Sequence, residues 1–159
     1  MVDDVVVALA LHVLAVIHWI GGLAFVTLIL LPLAKLRLTG EESLTLFNSL
    51  ERRFAAQVRF SIPLAGVTGL WMTYRMELWG RFADPHFWWM SAMLGLWLVF
   101  MLIVFMLEPL LHERLQQHAR VDPASTLRRI TRLHTFLLAL AALTVLGAVT
   151  GAHGFDFFR

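Results

Sequence analysis

The amino-acid sequence predicts an all-α fold: a polytopic membrane protein built as an antiparallel bundle of four transmembrane helices. Three observations carry that expectation. The 159 residues are 59% hydrophobic and 15% charged, with mean hydropathy +0.75, more apolar surface than one soluble core of this size hides. Four apolar segments reach the roughly 20 helical residues that a bilayer core of about 30 Å requires. The basic residues gather at the ends of those segments instead of forming a separate face.

The first span is expected over residues 5–34, interrupted by His12 and His18 and closed by Pro32, Lys35 and Arg37. It follows an amino terminus without Lys or Arg and is longer than a secretory leader's apolar core, so the first helix is expected to stay in the protein. Thr39 and Glu42 then fit the N-cap and third position of a capping box. They open an amphipathic stretch through Leu46, Phe47, Leu50 and Phe54 that runs into span two, residues 54–74. That span carries Arg59 and Pro63, and a kink between them is expected.

Span three, residues 87–107, is free of charge, begins after Asp84-Pro85-His86 with the aromatic belt Phe87, Trp88 and Trp89, and ends at Glu108-Pro109. Span four, residues 133–152, is rich in small residues, and Gly147 and Gly151 have the spacing for close helix contact, either in the bundle or in a dimer. No linker, low-complexity tract or internal repeat stands out, so one domain over 1–159 is expected.

Orientation follows from the loops. Lys35, Arg37, Arg52, Arg53, Arg114, Arg120, Arg128, Arg129 and Arg132 lie in the connections joining spans one to two and three to four, whereas the other side holds Arg75, Arg81 and Arg159. The basic connections are expected in the cytoplasm and both termini outside it, in a bacterial-type inner membrane. The net charge of +2 and pI near 9.9 are explained by this distribution and do not point to nucleic acid. The expected surroundings are the lipid bilayer, with a homodimer or a larger membrane complex as further partners.

Cysteine is absent, which excludes disulfides, thiolate metal sites and thiol catalysis. The sequence also lacks a Ser/His/Asp arrangement, a phosphate-binding glycine loop and HExxH spacing, so no hydrolytic constellation is visible and no catalytic residue is assigned. Chemistry, if present, belongs to ionisable and soft side chains inside the spans. His12 lies roughly 10 Å below the outer end of span one and His18 roughly 20 Å below it. His86, Met90 and Met93 share one face of span three, and Met93 reaches about the depth of His12, so a His/Met pocket suited to Cu(I) is possible on the outer side. Met72, Met76 and His153 add donors to that side.

Ordinary packing competes with each of these readings. Methionine commonly fills gaps in apolar cores, and a backbone or threonine hydrogen bond would satisfy His12. His18 sits about 240° around the helix from His12, so the two are not expected to face one pocket. His134 is roughly 20 Å or more from His12 along the membrane normal, too far for both to be axial ligands of one haem. His112 and His118 fall in a basic connection and are expected to be solvated. Arg59 and Glu108 are expected to pair near the cytoplasmic ends of spans two and three.

The stretch from His12 to Gly22, HVLAVIHWIGG, followed by Pro32, resembles the first helix of the copper-resistance D (CopD-like) membrane family, with His12, Trp19, Gly21, Gly22 and Pro32 as the matching positions. Arg53-Phe54, Thr68-Gly69-Leu70, Glu108-Pro109-Leu110 and Arg128-Arg129-Ile130 extend the resemblance over nearly the whole chain. It implies an inner-membrane bundle linked to copper uptake or tolerance. The same first-helix pattern is similar to the HemJ-like protoporphyrinogen oxidases, where the corresponding histidine is associated with haem b. The lysine expected in that family's third helix is missing, since Lys35 is the one lysine in the chain.

Three functions therefore stand beside one another. The leading expectation is copper handling through His12, His86, Met90 and Met93. The second is a b-type haem protein exchanging electrons with quinone, with His12 as one axial ligand and Met93, His18 or His86 as the other. The third is a structural subunit whose histidines satisfy local hydrogen bonds.

Overall fold

A computed structural model describes residues 2–33, 40–107, 110, 117 and 121–155, with the side chains of 2, 40–48, 51, 52 and 123 left aside. Thr39, Lys35, Arg37, Arg114, Arg120, Arg159, the turn Glu108-Pro109, and His112 and His118 therefore lie outside what is described, as do the side chains of Glu42 and Arg52. So does the expected pairing of Arg59 with Glu108.

The described chain is all α. Helix α1 (Val2–Phe25) has Asp3 and Asp4 in its first turn, where carboxylates favour the positive end of the helix dipole. It continues into a π-helical turn, Val26–Leu30. Pro32 explains this widening: it has no N–H for the Leu28 carbonyl, and the ladder shifts so that the Leu31 N–H reaches the Val26 carbonyl. The Thr27 hydroxyl donates to the Leu23 carbonyl at 2.7 Å, stitching the junction.

Helix α2 is one continuous element, Gly40–Arg75, so the amphipathic stretch does run into span two. Pro63 lies within it, and the Trp97 Nε1–H donates to the Ile62 carbonyl at 2.9 Å, a cross-helix bond beside the proline. Glu77, in the left-handed conformation (φ 54°), ends this run. Two short 3-10 turns, Leu78–Ala83 and Pro85–Phe87, lead to α3 (Trp88–Leu102), which also ends in a π-helical turn, Ile103–Leu107. Helix α4 runs from Pro123 to Ala152, about three turns longer at its start than span four required, because the Asp122 carboxylate caps it by accepting from the Ser125 N–H at 3.0 Å.

Among the described residues, three stretches are long and apolar enough to cross a membrane: Asp3–Leu33, Pro85–Leu107 and Ala124–Ala152. Helix α2 has the length, but Gln57, Arg59, Ser61, Thr68 and Thr73 dilute its apolar character. Much of that polarity has a structural reason, since the histidines of α1 bond to it.

Helices α1 and α2 pack antiparallel along their whole shared length, from the Asp4–Arg75 ion pair at one end (2.7 Å) to the Phe54 ring seated on Gly22 near the other. Helix α3 joins through Trp97, whose indole lies against Gly66, and through an edge-on contact of Phe100 with Trp19 at 4.8 Å between centroids. Helix α4 closes the core with Leu137 and Ala141, and Leu127 packs with Leu30 and Leu31. Gly147 and Gly151 are covered by the Trp88 and Trp89 indoles of α3, so this small-residue face is used within the bundle. Leu14, Ile17, Phe60, Val67, Phe136 and Leu146 are each more than half exposed, forming an apolar outer surface that suits lipid. Thr68, Thr131, Thr135, Thr144 and Thr150 return their hydroxyls to carbonyls one turn back, leaving little polarity on the helix surfaces.

A repetition invisible as residue identity emerges in the packing. Placing Pro32 on Pro109 superposes the two π-helical turns and sets buried Trp19, Leu23 and Thr27 on buried Leu96, Phe100 and Val104. Placing Arg52-Arg53 on Arg128-Arg129 sets buried Ser61, Ala65 and Thr68 on buried Leu137, Ala141 and Thr144, and the Thr68 bond to Leu64 on the Thr144 bond to Leu140. The chain is thus two helical hairpins, α1–α2 and α3–α4, with one burial pattern. Burial constrains volume and not residue type, which is why the sequence shows no repeat.

Candidate functional site

The polar chemistry of the spans gathers between α1 and α2. His12 is half-buried, and its Nδ1 lies 2.8 Å from the Ala65 carbonyl and 3.2 Å from Thr68 Oγ1. The Thr68 hydroxyl spends its proton on the Leu64 and Ala65 carbonyls at 2.7 and 3.1 Å, so its oxygen accepts. Nδ1 must therefore carry the hydrogen and donate to both oxygens. That fixes the tautomer and leaves the Nε2 lone pair without a donor among the described residues. A metal-binding histidine is ordinarily held this way, its second nitrogen tied to a carbonyl or carboxylate.

Gly69 makes room for the ring: a β-carbon there would come within 3.2 Å of His12 Cε1 and 3.5 Å of Nδ1. The packing seam and the imidazole's position are thus one feature of α2.

His18 also turns to α2, a turn and a half deeper. Its Nδ1 is 3.2 Å from Ser61 Oγ and its Nε2 3.1 Å from Gln57 Oε1. The amide oxygen only accepts, so Nε2 carries the hydrogen and Nδ1 accepts from the Ser61 hydroxyl. Both nitrogens are engaged, and a ligand role for His18 requires one of these bonds to open. Although 240° apart around α1, both rings reach α2, each with its own partners.

The remaining sequence candidates are more dispersed. His86 is exposed in the turn before α3 and held by Asp84, whose Oδ1 accepts from the His86 backbone N–H at 2.9 Å and lies 2.8 Å from its Nδ1. These bonds pull the Asp84 carboxyl below the usual carboxylate range, the backbone N–H first. Met90 is buried on α3 and Met93 half-buried. His12 and His86 are not bonded to each other. His134 and His153 each place Nδ1 on a carbonyl of their own helix one turn back, at 3.0 and 2.7 Å, the local satisfaction that His12 does not use. Among the described residues no group of three or more His, Cys, Asp or Glu side chains could hold a metal.

Sequence reasoning overlooked Gln57, Ser61 and the Ala65 carbonyl. Their signal was present: Gln57, Ser61, Ala65 and Thr68 recur at helical spacing on one face of an otherwise apolar run. Two buried indole nitrogens, those of Trp19 and Trp89, find no hydrogen-bond partner among the described residues.

Compared with protein-family models, with curated proteins and with solved structures, the chain matches none.

Proposed function

We propose that this is a four-span inner-membrane protein, both termini outside the cytoplasm, that handles copper as cargo through a site on its outer half. The single observation that carries the reading is His12: an intramembrane imidazole with Nδ1–H tied to the Ala65 carbonyl and Nε2 free to coordinate. Met90 and Met93 supply thioethers of the kind Cu(I) prefers, and His86 is the outermost donor of the proposed set. The resemblance of the His12–Gly22 stretch to CopD-like proteins points the same way. Cu(I) titration against a chromophoric chelator in detergent tests it: the native protein is expected to compete for the ion and His12→Ala to lose at least ten-fold in affinity. Unchanged affinity in His12→Ala removes the proposal.

A second reading draws on the scarcity of nearby donors. A b-type haem iron receives four nitrogens from its macrocycle and needs little more than His12 from the protein, with Met93, His18 or His86 opposite. A dithionite-reduced minus oxidised visible spectrum of protein from haem-replete cells separates the two, with sharp α and Soret bands in stoichiometric amount supporting haem and a flat trace supporting copper.

A further inference from the structure

Two cross-helix contacts fix how α1 and α2 face each other between their Asp4–Arg75 end and His12. Asp4 pairs with Arg75 at 2.7 Å, and further along α1 His12 Nδ1 bonds to Thr68 Oγ1, correspondingly further back along α2. Midway between them Ala8 is buried, and the register sets it opposite Trp71 and Met72. Trp71 is 46% exposed, so the half-buried Met72 is the one turned to the seam. Asp4, Ala8 and His12 thus form one row on α1, and Met76, Met72 and Thr68 the facing row on α2, each step being one helical turn, about 6 Å. Met76 follows the last residue of α2, but its N–H donates to the Met72 carbonyl at 3.0 Å, which keeps it in helical register. It is 52% exposed, so the row of thioethers begins at the surface and ends one turn from the imidazole.

The ring is presented to this row. Cε1, the carbon between the two nitrogens, is the His12 atom nearest a β-carbon placed at Gly69, so Nε2 adjoins the Gly69 turn of α2. A long side chain on a helix lies back over the turn that precedes its own Cα. On α2 that direction runs from Met76 toward Met72 and from Met72 toward Thr68 and Gly69, where the imidazole sits. Ala8, opposite, has only a methyl group to place in the way. His12 and Met72 therefore offer one imidazole nitrogen and one thioether from the two sides of the seam, with a second thioether one turn out. Such a set suits a soft monovalent cation and not the oxygen-seeking Mg²⁺ or Ca²⁺.

We infer that Met72 is the thioether partner of His12 for Cu(I), and that Met76 is the entry residue that receives the ion at the outer surface and passes it to the His12–Met72 pair. The inference rests on the copper reading of His12 and on the outer placement of this end of α2. It adds a route to that site and puts the first sulfur on the helix that also holds the imidazole, ahead of Met90 and Met93 on α3. The ion stays Cu(I) throughout and exchanges one thioether for the next.

The test uses the full chain in detergent, Cu(I) supplied from a chromophoric chelator, and two readings of each variant: the equilibrium affinity and the rate of loading after rapid mixing. Methionine to leucine conserves volume, so the fold is retained while the sulfur is lost. Met72→Leu is expected to lower affinity by about ten-fold or more. Met76→Leu is expected to keep the affinity and slow loading several-fold, and Met106→Leu, exposed at the opposite end of the bundle, to change neither. Selenomethionine protein loaded with Cu(I) should show copper scattering at the selenium edge that Met72→Leu diminishes. Native affinity and undiminished scattering in Met72→Leu would overturn the assignment of Met72 while a loss in His12→Ala leaves the His12 reading standing. Loading of Met76→Leu at the native rate, or equal losses in Met106→Leu, would overturn the route, and native affinity in His12→Ala would remove the copper site and this inference with it.

Discussion

The two hairpins share a burial pattern but close their seams with different chemistry. In α1–α2, the side chains at the helix interface include His12, His18, Gln57, Ser61 and Thr68, joined in cross-helix hydrogen bonds. In α3–α4, the corresponding seam is made of Trp88 and Trp89 pressed on Gly147 and Gly151, with no polar partner for the Trp89 indole N–H among the described residues. Each hairpin seats a ring on a small residue of its second helix, an imidazole over Gly69 in one and an indole over Gly147 in the other. Both seat a ring against a glycine, but only the imidazole carries a ring-nitrogen lone pair. The second hairpin thus closes its seam by packing alone, and the thioethers of Met90 and Met93 that the copper proposal draws on lie on its first helix, α3.

The most severe way to test that contrast is to overfill the seam of the second hairpin. A β-carbon at Gly147 would sit 2.5 Å from the Trp88 ring, whereas at Gly21 nothing lies within 4 Å. Gly147→Leu is expected to destabilise the protein by about 3 kcal/mol through overpacking, while Gly21→Leu is neutral or gains a fraction of the roughly 1 kcal/mol that glycine costs a helix. Reversible unfolding in mixed micelles measures both. Equal effects would mean that the seam is not close-packed.

In the first hairpin the same operation is expected to act on binding. Gly69→Ala pushes on His12 Cε1 from 3.2 Å, and should weaken metal affinity by about ten- to a hundred-fold, the usual consequence of disturbing a ligand's supporting contacts. Its effect on unfolding should be smaller than that of Gly147→Leu, since the neighbour is the edge of a side chain that has room to tilt. Metal titration beside the unfolding curve separates the two effects.

A finer contrast lies between two indoles. Trp97→Phe loses the bond to the Ile62 carbonyl, whereas Trp89→Phe removes a buried N–H that has no partner. The first substitution should cost about 1 kcal/mol more than the second, by the same unfolding measurement.

The smallest effect concerns the start of α4. The Ser125 N–H holds the Asp122 carboxyl below its ordinary value, so the cap favours the folded state fully above the usual carboxylate range and the benefit fades as pH falls through the lowered value. Asp122 is solvent-exposed, and a slight loss of melting temperature in acid is expected, absent in Asp122→Asn. An identical acid response in both proteins would contradict the cap's role.

Much of this was legible in the sequence. Length and hydropathy predict the helices over 5–34, 87–107 and 133–152, and helical spacing predicts that the stretch after Gly40 continues into residues 54–74. The partners of the intramembrane histidines were not legible, because they depend on how α1 and α2 are rotated against each other. A backbone carbonyl such as that of Ala65 has no residue-type signature at all. The fate of Gly147 and Gly151 was ambiguous for a related reason: small residues signal close approach without saying whether a helix backbone or an indole approaches. The π-helical turn before Pro32 follows from that proline once the ladder is drawn, since the Leu31 N–H reaches the Val26 carbonyl.

The central claim is that His12 Nε2 is a ligand, and X-ray absorption at the copper K-edge of the Cu(I)-loaded protein tests it most directly. The account predicts outer-shell scattering from an imidazole together with sulfur in the first shell, and loss of the imidazole signature in His12→Ala. A native spectrum without imidazole, or one that His12→Ala leaves unchanged, would contradict it.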